Sequence, residues 1–253
     1  MSRITDMMDN IRIDLGDSTA QRYTDVILER HINRAISDFV IATKCLRERI
    51  YLELNSSSSI YDLRNYAIDF IRVEYLDKTI LAKSYEELDI ISDTWQSDTG
   101  EKVEYVTFDH LSKGMIRVYP IVTGSVDIIT QPNLYGGLID ITIDESTYQI
   151  PSINDVEQNI NQYLVCYIVK KPNTITKNTI DDDLELSIIY DKAIETYVTS
   201  LCLRSDTDAQ NRSYANEQLQ IYNNYVAECI TEQSLDNNKL QDRVIKYRGA
   251  FDA

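Results

Sequence analysis

Histidine is almost absent from this chain, with two in 253 residues. That shortage removes the side chain most used for acid–base work near neutral pH. Neither His31 nor His110 neighbours a serine or cysteine in a nucleophile setting such as G-x-S-x-G. Glycine and proline are scarce as well, at 7 and 4, which excludes collagen-like and low-complexity chains. The only adjacent glycines are Gly136-Gly137, so there is no Gly-rich phosphate loop. Four cysteines, Cys45, Cys166, Cys202 and Cys229, stand far apart with no CxxC pair. They are expected as reduced, mostly buried thiols, with neither a disulfide framework nor a zinc site. No apolar run approaches the roughly 20 residues needed to span a bilayer. The first residues, Met1 to Asp6, contain no h-region, so no cleaved signal peptide is expected and the chain reads as one made and used in a cytoplasm.

What is present is apolar, acidic and rich in tyrosine. The hydrophobic fraction of 43% supports a buried core, and 18 tyrosines accompany only 4 phenylalanines. Tyrosine buries a large ring while its hydroxyl stays wet, a combination favoured at protein interfaces; an AT-rich genome would give the same bias. The net charge of −16 argues against a dedicated nucleic-acid binder, which needs clustered Lys and Arg. The charge is uneven. Residues 237–253 carry Lys239, Arg243, Lys246 and Arg248 against Asp242 and Asp252, a net of +2 that leaves −18 on the remainder. A basic tail on an acidic body fits an interaction segment, and equally a solvated terminus.

Along the chain, Ile4, Met7, Met8, Ile11 and Leu15 have helical spacing, and Gly16 is placed to end that helix. Thr24 is a good N-cap for a second helix with the stripe Leu28, Ile32, Ala35, Ile36, Phe39 and Val40. From Arg47 the period shortens, and strands are expected at 49–54, 60–63, 70–75 and 79–81. Ser84-Tyr85-Glu86-Glu87 is a capping box opening a short helix that ends near Trp95. Segments 103–108, 115–119 and 126–130 read as a three-stranded meander, with turns at 110–114 and 120–125. Within 131–162, an extra hairpin is expected around Ile139–Ile143 and Tyr148–Ile150. Tyr163–Val169 is a continuous apolar strand.

The last third is helical. Asp181-Asp182-Asp183 supplies caps and negative charge at a helix start. One helix carries Leu186, Ile189, Tyr190, Ala193, Ile194, Tyr197, Val198, Leu201 and Cys202 on a stripe. A final one, over about 209–233, places Tyr214, Gln218, Ile221, Tyr222, Tyr225, Val226 and Cys229 on one face. Helices, then strands, then helices, without a βαβ rhythm, give an α+β chain. The expected layout is a helical hairpin over 1–46 and a β-rich module over 47–180. A helical pair over 181–235, packing with the first hairpin as an antiparallel bundle, and an extended basic tail over 236–253 complete it.

Several of these segments resemble the head-to-tail adaptor proteins of short-tailed bacteriophages. The first is Ile11-Arg12-Ile13-Asp14-Leu15-Gly16-Asp17, followed by Gln21-Arg22-Tyr23-Thr24-Asp25, Leu28, Ile32-Asn33 and Ala35. Here Tyr23 stands where the family commonly has tryptophan. The second is Asp69-Phe70-Ile71-Arg72-Val73-Glu74-Tyr75, then Leu81, Ser84-Tyr85-Glu86-Glu87-Leu88-Asp89, Trp95 and Thr99-Gly100. Met115-Ile116-Arg117-Val118-Tyr119-Pro120 and Tyr167-Ile168-Val169-Lys170-Lys171-Pro172 complete the order. The likeness covers most of residues 4–230; the stretch 131–162 is longer than the family pattern.

The resemblance implies a virion protein, assembled in the host cytoplasm. It forms a homo-oligomeric ring, commonly of twelve copies, beneath the portal protein and joins it to tail or nozzle proteins. The genomic DNA passes through its channel at ejection without specific binding, and acidic walls would keep phosphates from sticking. The tail would dock on the portal through Lys239, Arg243, Val244, Ile245, Lys246, Tyr247, Arg248 and Phe251, ordering as it binds. No catalytic residue, cofactor, metal or membrane is expected. Two alternatives stand beside this one. A tail-tube or stopper ring has the same plan and differs in its partner. A metal-dependent hydrolase would use Asp181 to Asp183 as oxygen ligands, although helix capping explains those residues more simply.

Overall fold

The computed structural model describes residues 2–54, 58–76, 78–108, 113–123, 141–143, 146–148, 163–181, 184–204 and 208–248, with the backbone alone at 141–143, 146–148 and 235–248. The chain divides into two compact units: a helical unit of Met1–Leu46 with Pro172–Ala253, and a β-rich unit of Arg47–Lys171. Residues 172–180, grouped with the strands on sequence grounds, belong to the helical unit.

In the helical unit, α1 (Arg3–Asp14) starts at Ser2, whose hydroxyl accepts the Thr5 N–H. It stops in a Schellman motif. Gly16, at φ +67°, donates its N–H to the Ile13 carbonyl (3.1 Å), and Asp17 donates to the Arg12 carbonyl (2.9 Å). The Asp17 carboxylate then accepts the N–H groups of Gln21, Arg22 and Tyr23, which turns the chain toward α2 (Asp25–Thr43). Thr24 occupies the N-cap position of α2, but its side chain makes no capping bond. The expected stripes of both helices are buried except Leu15, the half-buried C-cap of α1; Ile11, Leu28, Ile32, Ala35, Phe39 and Val40 are all at zero exposure. Phe39 packs against the rings of Tyr190 and Tyr222.

The two later helices differ from expectation. The first of them, α4 (Asp191–Arg204), begins well after the aspartate triplet and is preceded by a 3-10 turn at Ile188–Tyr190. A distant residue sets that boundary. Arg3 donates to the Leu186 carbonyl (2.9 Å) and pairs with the Asp191 carboxylate, so Leu186 is held by a tertiary bond. Ile189, placed on the inner stripe by periodicity, is 65% exposed. The last helix, α5, runs Ala209–Arg248 and so takes in most of the segment expected as an extended tail. No proline or glycine lies between Ala209 and Gly249 to interrupt it. Among its described side chains the buried positions are Ala215, Tyr222 and Cys229, seven residues apart. Tyr214 and Ile221, expected on that face, lie at its exposed shoulder. Helix α4 packs on α1, α2 and α5. Tyr197 stacks on Tyr222 at 4.3 Å and donates its hydroxyl to Asp38 (2.9 Å).

The β-rich unit holds two four-stranded sheets. The first has the order β1 (Arg47–Glu53), β12 (Tyr163–Lys170), β3 (Ala67–Tyr75) and β4 (Lys78–Thr79), all antiparallel. Strand β12, recognisable as a continuous apolar run, sits between partners that lie over ninety residues earlier in sequence. The second sheet has the order β2 (Ile60–Asp62), β8 (Met115–Tyr119), β7 (Tyr105–Phe108) and β5 (Leu81–Ala82). Its first three strands are antiparallel, whereas β5 pairs parallel to β7. Ile50, Leu52, Val73, Val106, Ile116, Val118, Leu164, Cys166 and Ile168 form a shared core. Between β5 and β7, α3 (Tyr85–Ile91) opens with both bonds of the expected capping box, Glu87 N–H to the Ser84 hydroxyl and Ser84 N–H to the Glu87 carboxylate.

Part of the turn expected at 120–125 is strand: β9 (Ile121–Val122) pairs parallel with β6 (Thr99–Gly100). Two residues are too few to show a period, so only the bonds to Asp98 and Gly100 carbonyls reveal them. The extra hairpin is present as β10 (Ile141–Ile143) and β11 (Ser146–Tyr148), with Ile141 opposite Tyr148. The strand expected at 126–130, the turn around His110, and Asp182-Asp183 lie outside the described residues.

Candidate assembly surfaces

Among the described residues, the candidate reactive groups have the following surroundings. His31, half-buried on α2, has its pKa lowered by burial first and by Arg30 and Arg34 second, which favours the neutral imidazole. Burial pushes the Cys166 thiol up to about 12, and the Cys202 thiol likewise to about 12; such thiols are inert. Asp181 accepts the Arg3 backbone N–H at 2.8 Å. Among the described residues, no three His, Cys, Asp or Glu side chains cluster as a metal site, and no helix is long and apolar enough to cross a membrane.

Ion pairs instead knit the helical unit. Arg12, only 9% exposed, pairs with Asp25 and Asp9 and donates to the Tyr23 carbonyl. Asp25 also accepts Lys177 Nζ at 2.6 Å. Its carboxyl is held below the usual aspartate range, by the Lys177 bond first and the Arg12 bond second. Glu195, 5% exposed on α4, accepts Asn10 Nδ2 (2.8 Å) and Lys192 Nζ (3.2 Å).

The surfaces left over suit binding. In the helical unit, Ile180, Ile188 and Ile189 are each more than 60% exposed. Sequence reasoning missed these as surface residues, since the 3.6-residue period assigned Ile189 to the core. Tyr214 and Ile221, with the half-buried Tyr225, form an apolar shoulder on α5. In the β-rich unit, Leu81 and Ile90 stand clear of the core, Ile90 at 86% exposure. The outer face of the first sheet carries a cross-strand ladder in which Arg49 and Arg72 oppose Tyr167 from either side. Both guanidinium carbons lie 5.7 Å from the Tyr167 ring centroid, and Arg72 pairs with Glu74. Arg and Tyr are the residues most enriched at protein contacts.

The tail positions are divided. Lys239, Arg243, Val244, Ile245, Lys246, Tyr247 and Arg248 fall on the last turns of α5, where only the backbone is described, and Phe251 lies outside the described residues.

No match was found among curated proteins. The family model of the SU10 adaptor protein matches residues 2–240, nearly the whole chain, across both units and all the segments that resemble phage head-to-tail adaptors. The chain belongs to the SU10 adaptor protein family, a family of structural adaptors of phages.

Proposed function

We propose that this chain is the head-to-tail adaptor of its phage: a ring subunit, commonly in twelve copies, seated beneath the portal and joining it to tail or nozzle proteins. The family match over residues 2–240 carries this reading. Exposed isoleucines on a chain of net charge −16 support it, because apolar groups left open on a free subunit are natural contacts in an assembly. The helices from both chain ends form the bundle at the ring wall, and the β-rich unit faces tail components. The −16 charge lets genomic DNA slide past without adhering. The basic segment with Lys239, Arg243, Val244, Ile245, Lys246, Tyr247, Arg248 and Phe251 docks on the portal. No step of this role needs a catalytic group, metal or cofactor.

Light scattering on the purified chain, alone and with the portal protein of the same phage, tests the proposal. The expected result is a complex of defined, ring-sized mass that forms with portal. A chain that ignores portal and binds a tail protein instead would move the assignment to a stopper or tail-tube ring.

A further inference from the structure

Pro172–Asp181 leads the chain out of β12 and into the helical unit; residues 172–180 join no helix or strand, and Asp181 lies in a 3-10 turn. Its hold on that unit is unusual in kind. Ile175 is its one buried residue, at 5% exposure, while Ile180 is 63% exposed. Half-buried Pro172 also lines the pocket beneath, and the remaining attachments are polar and part-buried or exposed, among them Asn173 N–H and Nδ2 donating to Glu185 at 2.7 and 3.1 Å. The Asn33 side chain on α2 behaves as a strand partner would: Nδ2 donates to the Ile175 carbonyl (2.7 Å), and Oδ1 accepts the Ile175 N–H (2.8 Å). Glu29 accepts the Lys177 N–H at 2.8 Å, Asp25 accepts Lys177 Nζ at 2.6 Å, and Asp181 accepts the Arg3 N–H at 2.8 Å.

Beneath the segment lies a small, open-mouthed apolar pocket. Ile175 helps line it, with Ile4, Met7, Ile36 and Ile194 in its walls, and it has room for about one water molecule. Each polar bond contributes only a modest net amount, since water replaces it when the segment lifts. A single buried apolar anchor and a row of exchangeable polar bonds make an element of low local stability on a helical framework of high stability.

We propose that Pro172–Asp181 is a releasable strap: it lifts from α1 and α2 while the helices stay folded, and in doing so uncovers the apolar pocket. The chain passes between its two units twice, at Leu46–Arg47 and at Lys171–Pro172. With the strap closed, both crossings end on fixed structure. With it open, the second becomes a free tether of about ten residues, able to span roughly 30 Å. This device does not depend on the phage-adaptor reading and would operate in the isolated chain.

Hydrogen exchange on the full-length protein at neutral pH, resolved to peptides by mass spectrometry, tests it. The Ile175 and Lys177 amides should exchange on the order of a hundredfold faster than the amides of α4, the separation expected when a segment opens below the global barrier. Asn33→Ala should speed the strap a further tenfold or so by removing both side-chain bonds, with α4 unchanged. Ile175→Ala, which alters the strap alone, gives the same readout should the first variant fail to fold. Strap amides as slow as those of α4 would overturn the proposal, as would variants that accelerate strap and α4 together.

Discussion

At Gly114, just ahead of β8, the backbone has φ +90°, and a Cβ placed there would lie 2.7 Å from the Ala67 carbonyl oxygen and 2.9 Å from the Arg64 Cα. Both obstacles are main chain and cannot swing aside. The Gly114 carbonyl also accepts the Leu63 N–H at 2.8 Å, so this turn ties the start of β8 to the end of β2. Gly16 has a similar positive φ of +67° but nothing within 4 Å of an added Cβ. The two positions therefore separate conformational strain from steric exclusion. Gly16→Ala should cost about 1 kcal/mol, the price of a left-handed alanine. Gly114→Ala should cost more than about 2 kcal/mol, because the clash adds to the strain. Urea unfolding midpoints of the two variants, measured side by side, check the order.

Among the elements, α1, α2 and the strap meet at Asp25, where Arg12 and Lys177 both pair with one carboxylate. These partners depress its pKa, while burial opposes them more weakly. A carboxyl with a lowered folded pKa stabilises the native state above its unfolded value, about 3.9 for aspartate. That contribution disappears as pH falls through the lower folded value. Asp25→Asn should therefore be less stable than the parent at neutral pH, with the gap in urea midpoint closing below about pH 4. A gap that is constant from pH 7 to pH 3 would show that the charge of Asp25 is irrelevant to the junction. Elsewhere, α3 is anchored by local devices. Its capping box fixes the start, and Trp95, 2% exposed, donates its indole N–H to Asp89 at 2.7 Å. The Arg117 guanidinium from β8 lies 5.2 Å from the Trp95 ring, which ties the helix to the second sheet.

For the whole molecule, charge is the feature that bears most on assembly. Removing residues 237–253 takes away a net +2 and leaves a body of −18. Under the adaptor proposal, that deletion should abolish co-elution with portal while the unfolding midpoint of the remaining chain stays in place, since the buried positions Ala215, Tyr222 and Cys229 are retained. Undiminished portal binding by the truncated chain would remove the tail from the docking role. Helix α5, 40 residues in all, has a length near 60 Å at the usual rise per residue. Under the same proposal, the docking segment begins as a continuation of this helix, which limits the ordering entropy that binding must overcome.

Several parts of this protein were set by sequence alone because they depend on residues close together in the chain. The stripes of α1 and α2 follow from the 3.6-residue period, the stop at Gly16 from its freedom to adopt positive φ, and the start of α3 from Ser84 and Glu87 three residues apart. The family, too, was legible, because its motifs are local and their order is collinear. Tertiary structure decided the rest, through contacts that no local pattern encodes. Arg3 fixes where α4 begins from 188 residues away, by engaging Asp191. Strand β12 pairs with β1 from the opposite end of the β-rich unit and with β3 from over ninety residues earlier. On α5, apolar residues occupy more of the surface than one face can bury, so the packing of Tyr222 against Phe39 and Tyr197 settled which stripe went inside and left Tyr214 and Ile221 at the edge. A periodicity names the candidates for burial; only the neighbouring helices determine which of them are covered.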